Sequence, residues 1–313
     1  MSTTKYANAV AAIKAMENTL LTRNDMEQLI GASGKSEIEA LLSAKKGSYE
    51  TESAETVWKM IQSYAPESRE LEILLYKNDF HNLKAALKSM ISGREASHYY
   101  VRPTNLDLEH LSGILAEKDY GSLPVHIRET AREAYEMLVR TSDGQLGDSF
   151  IDAETLRIIQ KDSEDFGGEF MQRYAQLTAV CADIKTAYRC SKMKKSRVFL
   201  ETAVCGSKEL DKDALVNAAL EGTESLMTLL EGSGYSEAAR LLNESAAQFE
   251  KWCDDVIMEL AQTARMKSFG AEPLAAYYLA AEAEQKNLRI ISVCREFGAD
   301  RETINERMRM LYV

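Results

Sequence analysis

The 313-residue chain is 45% apolar and 28% charged, the balance of a soluble globular protein with length enough for two or so domains. Only four prolines, with abundant Ala, Leu, Glu and Lys, favour helix. A net charge of −11 argues against a nucleic-acid binder that works by neutralising phosphates, and against an isolated binder of anionic membranes.

In chain order, apolar spacing predicts a first helix over 6–20 with Val10, Ile13, Met16 and Leu20 on one face. Short helices follow over 25–30, capped by Thr22-Arg23-Asn24-Asp25 and closed by Gly31, and over 35–43. A helix over 54–64 stops before Pro66, and another over 68–91 ends near Gly93. Residues 99–103 read as an extended linker. Beyond it come helices over 106–118 and 125–139, a loop over 141–147, and helices over 150–166 and 169–193 separated by Gly167-Gly168. A lysine-rich loop spans 191–206. The last part opens at 210–215, turns at Gly232-Ser233-Gly234, continues as one long helix over 236–267 and closes with a helix over 274–294. No period-two alternation occurs, so the expected class is all-α.

The closing helix carries one apolar stripe at Leu274, Tyr277, Ala281, Leu288 and Ile291. A second, of small residues, contains Asn287 as its one strong polar group. Its core, Asn287-Leu288-Arg289, has two echoes upstream, Asn82-Leu83-Lys84 and Asp183-Ile184-Lys185. All three share carboxamide or carboxylate, aliphatic, base. Each lies late in a stretch of similar length, and new stretches open near 105 with TNLDLEHL and near 210 with ELDKDALV. The expected organisation is three copies of a helical unit, 1–100, 101–206 and 207–313, with the terminal helices able to complete neighbouring units. Asn82, Lys84, Asp183, Lys185, Asn287 and Arg289 are the repeated positions. The expectation is that Asn82, Asp183 and Asn287 fasten equivalent helix packings, because a buried polar group left unpaired costs about 1–3 kcal/mol.

Candidate chemistry is sparse. Gly31-Ala32-Ser33-Gly34-Lys35-Ser36 resembles the end of a phosphate loop, but Leu29 stands where the first glycine is needed and the setting is helix–turn–helix. Glu95 and His98 have the spacing of a di-iron ligand pair, yet the chain has no second Glu-x-x-His. Asp254-Asp255 lacks the third aspartate of a magnesium motif, Met258 standing in its place. Gly232-x-Gly234 lacks the strand and third glycine of a dinucleotide loop. Lys192, Lys194, Lys195 and Arg197 form the one dense cationic run, read as a favourable helix C-terminus or a contact for an acidic partner. Cys181, Cys190, Cys205, Cys253 and Cys294 have no zinc or redox spacing, which favours a reduced, cytoplasmic chain. The N-terminus lacks a signal-peptide apolar region, and no apolar run approaches the roughly 18–20 residues of a membrane-spanning helix. No catalytic set, metal site or cofactor site is expected.

Taken together the residues resemble the C-type subunits of the V/A-type rotary ATPases, relatives of the d-type subunits of eukaryotic V-ATPases. The likeness runs from Tyr6-Ala7-Asn8-Ala9 and Met16-Glu17-Asn18-Thr19-Leu20-Leu21, through Asp79-Phe80-His81-Asn82-Leu83-Lys84, to Phe269-Gly270-Ala271-Glu272-Pro273, the 282–291 stretch and Leu311-Tyr312. Two features depart from the family pattern: Asp183 stands where Asn is usual, and the 191–206 loop is unusually rich in lysine. The resemblance implies three helical bundles around a pseudo-threefold axis, forming a funnel. It also implies a non-catalytic central-stalk role between the D- and F-type shaft subunits and the proteolipid rotor ring. Such a protein would be cytoplasmic, with membrane contact only through the ring and no nucleic-acid partner. Two other readings of the residues are a helical-repeat adaptor of another complex and a helical enzyme.

Overall fold

The computed structural model describes residues 6–46, 53–65 and 68–313, and among them every regular element is helical. The chain divides into two compact units, residues 1–71 with 240–313 and residues 72–239.

The unit built from both chain ends is organised on the Glu272–Glu296 helix. Its first half, Pro273 to Ala281, is apolar on every side and buried on every side. The helices Ala7–Met16, Ala54–Tyr64 and Ala246–Ala264 pack around it, with Trp58 edge-on to Tyr278 at 5.5 Å between ring centres. Its second half keeps one buried stripe, Glu284, Asn287, Ile291 and Cys294. There the Arg23–Gly31 and Lys35–Lys46 helices contribute Met26, Leu29, Ile30 and Leu42 to a cluster with Ile291, Cys294 and Ile304. The Arg23–Gly31 helix opens with a reciprocal capping box between Thr22 and Asp25.

In the 72–239 unit, the Gly144–Phe166 helix lies against Tyr76–Ser92, Val125–Thr141, Glu169–Lys192 and Arg197–Ala203. The Lys212–Glu221 and Thr223–Gly232 helices close over Glu169–Lys192.

Several boundaries differ from those predicted, each for a local reason. The 6–20 helix ends at Met16 and tightens into a 3-10 turn over Glu17–Thr19. The 68–91 helix tightens over Ile73–Leu75, three residues buried together, before continuing as Tyr76–Ser92 with Gly93 in the left-handed conformation at its end. The 106–118 helix begins only at Leu111, because the Asp107 carboxylate accepts the Glu109 N–H at 3.1 Å and that of His110 at 3.4 Å. The loop placed at 141–147 is the start of the Gly144–Phe166 helix: Asp143 caps it by accepting the Gln145 and Leu146 N–H groups at 3.0 Å. Inside that turn Gly147 permits close approach, since a Cβ there would lie 2.6 Å from a Leu138 methyl. The lysine-rich loop contains the Arg197–Ala203 helix, capped by Ser196. The long 236–267 helix is two, Ser236–Glu244 and Ala246–Ala264, because extended Ser245 breaks the winding and caps the second.

Candidate functional site

Asn82, Asp183 and Asn287 are all buried, and each bonds to the main chain of a segment later in the sequence than its own helix. Asn82, on Tyr76–Ser92, accepts the Val101 N–H on Oδ1 at 2.8 Å and donates Nδ2–H to the Val101 carbonyl at 3.0 Å. Asn287 repeats this with Arg309: Oδ1 accepts the N–H at 2.8 Å and Nδ2 donates to the carbonyl at 3.1 Å. An amide offers one acceptor and one donor side, so it pairs with both polar groups of a single extended residue. Asp183 offers acceptors only, and the chain meets it differently. Its Oδ1 accepts the Cys205 N–H at 2.9 Å and its Oδ2 accepts the Gly206 N–H at 2.7 Å and the Cys205 thiol at 3.2 Å. The partners of the three side chains are therefore non-helical segments rather than neighbouring helices, the packing expected from sequence.

Each clamp has supporting bonds. Around the first, Asn78 Nδ2 donates to the Pro103 carbonyl at 2.8 Å, while buried Asp79 accepts the Asn105 N–H at 2.7 Å, the Asn105 amide at 2.8 Å and the Thr104 hydroxyl. His126 Nε2 lies 2.9 Å from the same carboxylate, and its ring stacks on Tyr76 at 3.9 Å. Around the second, Gln160 Nε2 donates to the Gly206 carbonyl at 3.0 Å and the Arg157 guanidinium to the Val204 carbonyl at 3.2 Å. Around the third, Asp255 accepts the Met310 N–H at 2.7 Å, Asp254 accepts Arg309 Nε at 2.7 Å, and Lys251 and Gln262 donate to the Met308 and Leu311 carbonyls. The Asp254-Asp255 pair thus holds the 308–311 segment.

The electrostatics follow from this geometry. Burial pushes the Asp183 carboxyl above the usual carboxylate range, against the Cys205 and Gly206 donors and the Arg157 charge, which favour ionisation. Burial and the adjacent Asp183 likewise push the Cys205 thiol upward, so this sulfur is a donor and not a nucleophile. Gly206 reaches the carboxylate from φ +80, and a Cβ there would stand 2.9 Å from Lys212 Cβ. Gly206→Ala is expected to lower stability by about 1–3 kcal/mol, read as a lowered denaturation midpoint, and by more than Gly234→Ala, which shares the backbone strain at φ +85 but has open space for its Cβ.

The bases two residues after the repeated polar residues differ in setting. Lys84 pairs with Asp152, Lys185 is half-buried, and Arg289 is exposed. Of the other sequence candidates, Gly31-Ala32-Ser33-Gly34-Lys35-Ser36 is the turn between two helices, where the Ser33 N–H and hydroxyl both reach Glu37 at 2.7 Å. Glu95 accepts the Ser97 hydroxyl at 2.7 Å and His98 lies in an exposed 3-10 turn. In the cationic run, Lys192 and Lys195 lie over the rings of Tyr188 and Phe199, and Arg197 reaches Asn217 at 2.8 Å. Sequence reasoning gave Asp79 no role beyond its place in the family-like 79–84 stretch, gave Gln160 none, and named no partner for His126. The Asp79-to-Asn82 spacing puts both on one helix face, a signal that was present in the sequence. The long-range partners Gln160 and His126 carry no such mark.

Residues 9–307 match the family model described as ATP synthase (C/AC39) subunit. The C subunit of the V-type sodium ATPase of Enterococcus hirae is 26% identical over 260 residues, a match spanning 82% of this chain and 79% of that protein.

Proposed function

We propose, from the premise that the chain belongs to the ATP synthase (C/AC39) subunit family, that this non-catalytic V/A-type ATPase subunit is the central-stalk coupling between shaft and rotor ring. The observation that carries this reading is the match over nearly the whole chain, which leaves no room for a separate catalytic domain within it. The clamps suit the role. A coupling must transmit torque without yielding where its parts meet, and the connecting segments at 101 and 205–206, like the stretch at 309 after the Arg301–Arg307 helix, are tied to a long helix by paired hydrogen bonds. In this proposal the three clamp-bearing stretches, 1–100, 101–206 and 207–313, are the repeated parts of the coupling. Among the described residues no helix is long and apolar enough to cross a membrane, so the proposed membrane contact is made through the proteolipid ring.

The test is co-purification. The tagged chain is expected to retain detergent-solubilised proteolipid ring and the D- and F-type shaft subunits, and to hydrolyse no ATP by itself. Retention of neither partner would leave the helical-repeat adaptor reading in its place.

A further inference from the structure

From Arg189 to Val198 the chain carries five cations and no acid, within a protein of net charge −11. Arg189, Lys192, Lys194 and Arg197 are exposed, and Lys195 is half-buried. Among the described residues only Arg197 of these five has an acidic partner, Glu201 at 3.6 Å. Lys192 and Lys195 rest over aromatic rings, and Lys195 bonds to the neutral Gln145. Beside these unmatched charges Met193 and Val198 stand 56% and 68% exposed.

Helix electrostatics account for only part of the run. The negative end of the Glu169–Lys192 helix favours Arg189 and Lys192 in its last turn. Lys194 and Lys195 lie beyond that end. With Arg197 they lead into the positive end of the Arg197–Ala203 helix, which disfavours cations. Lys194 is also out of place for its backbone. The helices bearing Asn82 and Asn287 each end in a left-handed glycine eleven residues after that asparagine, Gly93 at φ +69 and Gly298 at φ +71. Lys194 holds the same position after Asp183, at φ +52. Left-handed backbone suits glycine and strains a residue with a Cβ, so stability does not explain a lysine there.

We propose that the 189–198 turn docks on the anionic phospholipid headgroups of a bilayer, a direct lipid contact additional to the ring-mediated one proposed above. A cluster of about four or more bases is drawn to such a surface, each contributing separately. An acidic peptide would satisfy the charges and leave Met193 and Val198 in water. A lipid interface takes both, the cations at the level of the phosphates and the apolar tips between headgroups. The net charge of −11 does not oppose this contact, because at about 0.1 M salt charges more than about 10 Å away are largely screened.

The test is co-flotation of the full chain with vesicles of phosphatidylcholine alone or mixed with phosphatidylglycerol, at about 0.1 M salt. Wild type is expected to float with the mixed vesicles only, and to leave them at about 1 M salt, where the screening length is about 3 Å. Lys194→Gly should weaken binding about fivefold, the contribution of one lysine near an anionic surface, without lowering the denaturation midpoint. Lys192→Glu combined with Lys194→Glu should weaken it by more than about tenfold. Met193→Ser combined with Val198→Ser should give a smaller loss. Wild type that ignores the anionic vesicles, binds neutral ones equally, or binds an acidic peptide in their place overturns the proposal. So does Lys194→Gly that binds like wild type, or that loses binding together with a lowered midpoint. No ring or shaft is present, so the coupling function stands or falls separately.

Discussion

Asn82→Asp is expected to destabilise the protein by about 3–5 kcal/mol at neutral pH, although it differs from wild type by little more than one atom and copies the residue found at position 183. At position 82 the side chain faces an N–H on one side and a carbonyl on the other, both from Val101. A carboxylate would keep the first bond, set an oxygen against the carbonyl, and bury a charge with no cation bonded to it. Burial would hold the folded-state pKa of the new carboxyl above the roughly 3.9 of an unfolded aspartate. The penalty relative to wild type is then full above that raised pKa. It shrinks as pH falls through it, because the protonated acid regains a donor for the Val101 carbonyl. Chemical denaturation of both proteins between pH 7 and pH 5 checks this, and a penalty that stays constant or grows would contradict the clamp geometry.

The reverse exchange, Asp183→Asn, is also expected to destabilise, by about 1–3 kcal/mol. It would turn an amide donor towards either the Cys205 or the Gly206 N–H. Asparagine at 82 and 287 and aspartate at 183 are therefore each matched to the donors they meet. The change from asparagine at 82 and 287 to aspartate at 183 goes with a different course of the following chain.

The second large effect lies in the unit made from both chain ends. Lys46 and Glu284 form an ion pair with each side chain only 6% exposed, and Glu284 also accepts the Leu21 N–H at 2.6 Å. Lys46→Met is expected to cost about 3–5 kcal/mol, because it removes one partner of a buried ion pair. Lys46→Met combined with Glu284→Gln should be less damaging than Lys46→Met alone, since the amide can keep the Leu21 bond without a charge. The denaturation midpoints of the two single variants and the double variant form the cycle that measures this. Additive losses would mean that the two side chains act separately.

The all-α class was legible in the sequence because apolar periodicity and the scarcity of proline act locally. The boundaries that moved did so where a side chain competes with the backbone. Asp143 and Ser245 start helices at positions where hydrophobic spacing is silent, and Asp107 holds a turn where spacing suggested helix. The repeated polar residues were visible as Asn82, Asp183 and Asn287 because each opens the same run of polar, aliphatic and basic residue. Their partners were not visible. Val101, Cys205 and Arg309 contribute only main-chain groups to Asn82, Asp183 and Asn287 apart from the Cys205 thiol, and main chain has no sequence signature. The same reason hid the role of Asp255, which meets the Met310 N–H, while Asp254 meets the distant Arg309 guanidinium; sequence spacing could weigh the pair only against a metal motif.

The coupling function is tested most directly by assembling the rotary complex with and without this chain and measuring ATP hydrolysis and ion transport together. With the chain present, hydrolysis should drive transport. Without it, the soluble head should continue to hydrolyse ATP while transport ceases. Transport that persists undiminished in its absence would contradict the account.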